Sequence, residues 1–157
     1  MLKKLKIFYL RNILSCNKLS QTVEYDGGQT KDLSYEFFCS PDNLWVYNWV
    51  KDDRKLLHVS ESVQYRMCTE LIKASEENNA IQCDEYEEYL NRYFPTYDGL
   101  SEKKYHMIIE ILNGAKIITP CILNIRRTVR PKKLVLNDGA HRAAISLALG
   151  SSVKIGF

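Results

Sequence analysis

The chain has 157 residues, of which 45% are hydrophobic and 26% charged. This is the composition of a folded domain with a real core, and it excludes a disordered chain. The net charge of +3 is small and its basic residues are scattered, so charge alone gives no case for a nucleic-acid partner, which is not expected.

Five cysteines, Cys16, Cys39, Cys68, Cys83 and Cys121, form neither a CxxC pair nor an even set. That spacing excludes a zinc ribbon and a disulfide framework and fits free thiols in a reducing, cytoplasmic setting. No apolar run reaches the ~18 residues of a membrane-spanning helix. The opening MLKKLKIFYLRNIL has a basic start and an apolar run interrupted by Arg11 and Asn12. A first strand or helix packed on the domain is expected there, with membrane-surface contact by residues 1–14 as the alternative.

Residues 15–34 are polar, centre on Gly27 and Gly28, and read as a loop. YEFFC, LWVYNWV and KLLHV follow as three β-rich patches, with Asp42-Asn43 and Asp52-Asp53 as turns. Trp45, Tyr47 and Trp49 alternate along the middle patch, which suggests a core-facing stripe. Three helices are predicted next. The first covers 62–75, with Ser62 as N-cap and Tyr65, Cys68, Leu71, Ile72 and Ser75 on one face. The second covers about 84–93, and the third runs from Ser101, with Tyr105, Ile108, Ile109 and Leu112 in phase and Gly114 as its stop.

The period then shortens. IITPCILNI (117–125) reads as a strand, RRTVRPKK as a basic turn, LVLN as a second strand, Ala143–Leu149 as a helix closed by Gly150, and VKIGF as a last strand. The expected fold class is α+β: a compact domain over 56–157 with a small mixed sheet and packed helices, plus a β-rich extension over 1–55.

The chemistry concentrates in LVLNDGAHRAAISLALG, residues 134–150. Gly139 permits unusual dihedrals and close approach, and a helix start offers free N–H groups to an anion. Arg142 can grip phosphate oxygens in pairs, and His141 can donate a hydrogen bond or move a proton. Asp138 can cap the helix, hold Arg142, or bind a metal beside phosphates. Equally, Asp-Gly can be a plain turn before a helix, with Arg142 in solvent.

The segment LVLNDGAHRAAISLALGSSVKIGF resembles the signature of the ParB/sulfiredoxin superfamily: a glycine-containing turn ending in Arg, an alanine-rich helix ending in Leu-Gly, and a strand. IIEILNGAKI and TPCILNI precede it in the same order, so the likeness covers about 100–157, and more weakly from residue 56. In similar proteins associated with surface-polysaccharide gene clusters, a Ser-Pro-His-Tyr-Arg segment precedes such a turn. Here Ser62, Val63, Gln64, Tyr65 and Arg66 stand in that place, with the Pro and His replaced.

The resemblance implies a nucleotide site for ATP or CTP with Mg2+, its phosphates at Gly139, Ala140, His141 and Arg142, and with Arg66, Gln64 and Ser62 at a second phosphate. Sulfiredoxin chemistry is excluded, since its turn cysteine is Ala140 here. Chromosome partition is not expected, because those proteins continue into a DNA reader and this chain ends at Phe157.

Three functions follow. The first is an ATP-dependent kinase of a small hydroxyl compound, with Glu61, Asp138 and His141 as catalytic candidates. The second is a nucleotide-binding or nucleotide-hydrolysing switch module. The third is a DNA-binding or nuclease protein using Arg126, Arg127, Arg130, Lys132 and Lys133.

Overall fold

The computed structural model describes residues 2–25, 28–50, 53–76, 100–117, 119–128 and 133–157. The helix expected at 84–93, and Gly27, Asp52, Cys83, Arg130 and Lys132, lie outside the described residues.

The chain opens with helix α1 (Leu2–Ile13). Strands β1 (Asn17–Tyr25) and β2 (Gln29–Cys39) then pair antiparallel where a loop was expected. The reason lies in the phase rather than the composition. Apolar residues alternate with polar ones in both strands and bury on two sides: Val23 and Leu33 meet in a small cluster, Tyr35 and Phe37 join the main core, and the register shifts between Lys18 and Gln21. A 3-10 turn (Pro41–Asn43) leads to β3 (Leu44–Val50), which pairs antiparallel with β4 (Asp53–His58). A second 3-10 turn (Val59–Glu61) leads into α2 (Val63–Glu76).

Helix α3 (Leu100–Leu112) ends as its sequence predicts: Gly114 takes a φ of +98°, and Ala115 N–H closes back onto Glu110 O. Strand β5 is only Cys121–Leu123, far shorter than the nine-residue patch around it. Pro120 precedes it, and a turn at 125–127 follows. Strand β6 (Leu134–Asp138), helix α4 (Ala140–Ala148) and strand β7 (Val153–Gly156) complete the fold.

The protein is therefore of mixed α/β class, with four helices among the described residues and one seven-stranded mixed sheet in the order β1-β2-β7-β5-β6-β3-β4. Pairs β3–β6 and β5–β7 are parallel and the rest antiparallel. The boundary expected between 55 and 56 falls inside β4, and β2 and β3 hydrogen-bond directly to β7 and β6. Residues 17–58 thus supply both flanks of the sheet, whose middle strands lie within residues 121–156.

The main core joins Phe37, Leu44, Val46, Leu123, Leu134 and Ile155 of the sheet to Met67, Cys68 and Leu71 of α2, Ile108 of α3 and Ile145 of α4. Each fully buried aliphatic side chain contributes roughly 1.5–3 kcal/mol. Ile122 alternates with its neighbours on β5 and points to a second cluster with Val23 and Leu33 of the hairpin. Both faces of β5 are thereby covered, which suits its continuous apolar sequence. On β3 the inward residues are Leu44, Val46 and Asn48, at 0%, 1% and 2% exposure. Trp45 and Tyr47 face the other way, so these two residues of the stripe expected to line the core lie outside it.

Candidate functional site

The junction between β6 and α4 brings Asp138 to Arg142 together. Arg142 Nη2 donates to Asp138 Oδ2 at 2.7 Å, with the two side chains 12% and 19% exposed. Of the roles open to Asp138, holding Arg142 is the one this geometry displays. Gly139 is the N-cap residue of α4, at φ 96° and ψ 19°, and no side chain caps this helix.

Glycine is required at position 139 twice over. Its backbone is left-handed, and an added Cβ would stand 2.6 Å from Cys121 Sγ and 2.9 Å from Cys121 Cα. The close approach that this glycine permits is therefore to Cys121 of β5. The same thiol donates to Gly139 O at 3.3 Å. Burial pushes the Cys121 thiol up to about 11, Arg142 pulls it down, and Asp138 pushes it up again. A fully buried thiol held protonated is no nucleophile, so Cys121 does not supply the thiol that position 140 lacks. His141 is buried at 8% exposure and engaged with its surroundings, and Ala140 packs its methyl against the main core.

The second group of predicted site residues lies at the start of α2. Helix α2 and both 3-10 turns pack against α4, so residues 58–66 are carried to the element that bears the junction. Here the helix start is closed by side chains. Ser62 Oγ accepts from Tyr65 N–H at 3.1 Å and donates to Val59 O at 2.6 Å. Asn48 Oδ1 accepts from Val63 N–H at 2.9 Å, while Asn48 Nδ2 donates to Gln64 Oε1 at 2.9 Å. Ser62 is thus the N-cap predicted for it, and Gln64 is a buried member of the capping network. Arg66 lies on the exposed side of α2 and is not without a partner.

Glu61 is exposed, and its carboxylate closes a capping box by accepting from His58 N–H at 3.3 Å. His58 fastens the two turns together. Nε2 lies 2.6 Å from Asp42 O, and Nδ1 lies 3.2 Å from Ser60 N and 2.7 Å from Ser60 Oγ. A carbonyl can only accept and a backbone N–H can only donate, so Nε2 is the donor to Asp42 O and Nδ1 the acceptor from Ser60 N–H.

Asn48 and His58 escape sequence reasoning, although Asn48 left a signal. It stands in the inward phase of an otherwise apolar strand, where an amide must find a partner. Arg127 and Lys133, two described residues of the basic turn, lie against the outer face of β3. Lys133 Nζ lies 4.1 Å from the Trp45 ring centre, and Arg127 lies 5.8 Å from that of Tyr47, which also carries Arg54 at 4.7 Å. Cation–π contact gives these charges a packing role and accounts for the outward stripe. Among the described residues, no three His, Cys, Asp or Glu side chains group into a metal site.

Comparison with known proteins finds no family model, no curated protein and no solved structure that matches this chain. The likeness to the ParB/sulfiredoxin signature accordingly rests on the residues themselves.

Proposed function

We propose that this protein has a ParB/sulfiredoxin-like domain that binds ATP or CTP, as the Mg2+ complex, by its phosphates at the start of α4, and transfers a phosphoryl group to a small hydroxyl compound of surface-polysaccharide metabolism. One observation carries the binding step. Helix α4 begins with no side-chain cap, and an arginine stands in its first turn, oriented by Asp138. The N–H groups of Gly139, Ala140 and His141 face the anion in this reading, and Arg142 uses the guanidinium nitrogens that Asp138 leaves over. Mg2+ carried with the nucleotide would neutralise charge on the triphosphate, and Asp138 is the residue beside the phosphates that would hold it. Ser62 and Gln64 build the start of α2 in this reading, rather than acting as phosphate ligands.

A second reading, a nucleotide-binding module without transfer, is favoured by a specific observation. Both candidate acids already have partners: Glu61 in its capping box and Asp138 in its ion pair. Neither is poised to take a proton from an acceptor hydroxyl. The two readings separate in one experiment. The protein is incubated with labelled ATP or CTP, Mg2+ and a pool of hydroxyl metabolites, and nucleotide loss and phosphorylated products are followed. Product formation that disappears in Glu61→Gln or Asp138→Asn supports the kinase. Binding without turnover supports the module, and absence of binding overturns both.

A further inference from the structure

Helix α1 has two apolar faces, and the fold uses only one. Leu10 is buried, and Ile7 and Leu14 pack against the main core. On the opposite side Leu5, Phe8, Tyr9 and Ile13 are 60%, 62%, 50% and 48% exposed. Their spacing of i, i+3, i+4 and i+8 places them on one face of the helix, and they are four of the six large apolar side chains most exposed in the described structure. The helix is fastened, so this face stays outward. Lys6 Nζ donates to Ile125 O, Arg126 O and Thr128 O at 3.5, 3.2 and 3.1 Å. Arg11 Nη1 donates to Tyr35 OH at 3.2 Å, with its guanidinium 5.6 Å from that ring's centre.

The charges on α1 indicate what covers this face. The helix holds Lys3, Lys4, Lys6 and Arg11 and not one acidic residue. Lys3 and Lys4 are exposed, and Lys4 stands one turn before Phe8. A second copy of the same helix is a poor occupant, since face-to-face packing would oppose lysine to lysine with no acid on either helix to pair them. An acyl boundary for Leu5, Phe8, Tyr9 and Ile13 and phosphate headgroups for the lysines satisfy both halves of the surface.

We propose that α1 docks the folded protein in the plane of an anionic phospholipid surface, inserting Leu5, Phe8 and Tyr9 at the headgroup boundary with Lys3 and Lys4 on the lipid phosphates. No helix of the described structure is long and apolar enough to cross a membrane, so the contact is peripheral. This inference is independent of the nucleotide reading and stands or falls without it.

The test is co-sedimentation of the full chain with vesicles of phosphatidylcholine, alone or with about one-third phosphatidylserine, at low and high salt. Binding is expected on the anionic vesicles, at least about tenfold weaker on phosphatidylcholine alone, and reduced by salt. The double variant L5E/F8E should abolish it. Both side chains are exposed, so its circular dichroism and melting should match the wild type. Lys3→Glu with Lys4→Glu should weaken binding about tenfold or more while leaving the fold intact. Failure of the wild type to sediment, or unchanged sedimentation of L5E/F8E, would overturn the proposal. So would a concentration-dependent dimer, seen by analytical ultracentrifugation and removed by L5E/F8E, in a protein that ignores vesicles.

Discussion

Two helices that pack against each other in this protein have starts finished in opposite ways. The start of α2 is closed. Ser62 takes the Tyr65 N–H, Asn48 takes the Val63 N–H, and Gln64 holds Asn48. The start of α4 has Gly139 where a capping side chain would stand, and the polar residues around it pair with each other. Side chains that seal a helix start leave little for an anion to find there, whereas an uncapped start keeps its N–H groups and partial positive charge for a guest. The difference separates two sets of residues that look alike in sequence: Ser62, Gln64 and Glu61 are builders, while Gly139 and Arg142 form the candidate phosphate contact.

The contrast can be broken most severely at Gly139. Gly139→Val puts a branched side chain at positive φ and into Cys121, and is expected to cost about 3–5 kcal/mol in denaturant unfolding and to abolish nucleotide binding. On the closed side, Asn48→Ala leaves the Val63 N–H and Gln64 Oε1 without their buried partner. A loss of about 2–3 kcal/mol is expected, with nucleotide affinity unchanged once folded.

Alkaline pH loads both sides through their thiols. Burial raises Cys68 in α2 to about 12 and Cys121 beneath the α4 start to about 11. The unfolded chain ionises these thiols from about pH 9 while the folded protein keeps them protonated, so the folded state binds more protons and stability falls as pH rises. The contribution lost is about 2–3 kcal/mol for each thiol by about pH 11, and Cys121→Ala should remove the share of that slope which belongs to the junction. Urea unfolding at a series of pH values measures it. The smallest effect belongs to Glu61→Gln. It weakens an exposed capping box by about 0.5 kcal/mol or less in thermal unfolding and should leave nucleotide affinity where it was.

Much of this was legible in the sequence because it is local. The α2 N-cap at Ser62, the glycine stop of α3, the strand LVLN and the junction at 138–142 all follow from short-range rules. The β1–β2 hairpin was hidden because polar composition masked an apolar phase of two. The single sheet was hidden because its pairings, β2 with β7 and β3 with β6, join positions about a hundred residues apart, and local pattern carries no record of such partners. The candidate site divides in the same way. Asp138, Gly139 and Arg142 declare themselves in one pentapeptide. Asn48, His58 and Cys121 take their meaning from neighbours brought from elsewhere in the chain, and so did Glu61, whose exposed carboxylate acquires a capping role only in the fold.

Phosphate binding at the open helix start is tested most directly by isothermal titration calorimetry with Mg-ATP and Mg-CTP on the wild type, Arg142→Ala and Ser62→Ala. Saturable binding is expected for the wild type with at least one nucleotide, weaker by at least about tenfold in Arg142→Ala, equivalent to about 1.4 kcal/mol, and unchanged in a folded Ser62→Ala. No heat of binding in the wild type, or equal affinity in Arg142→Ala, would contradict it.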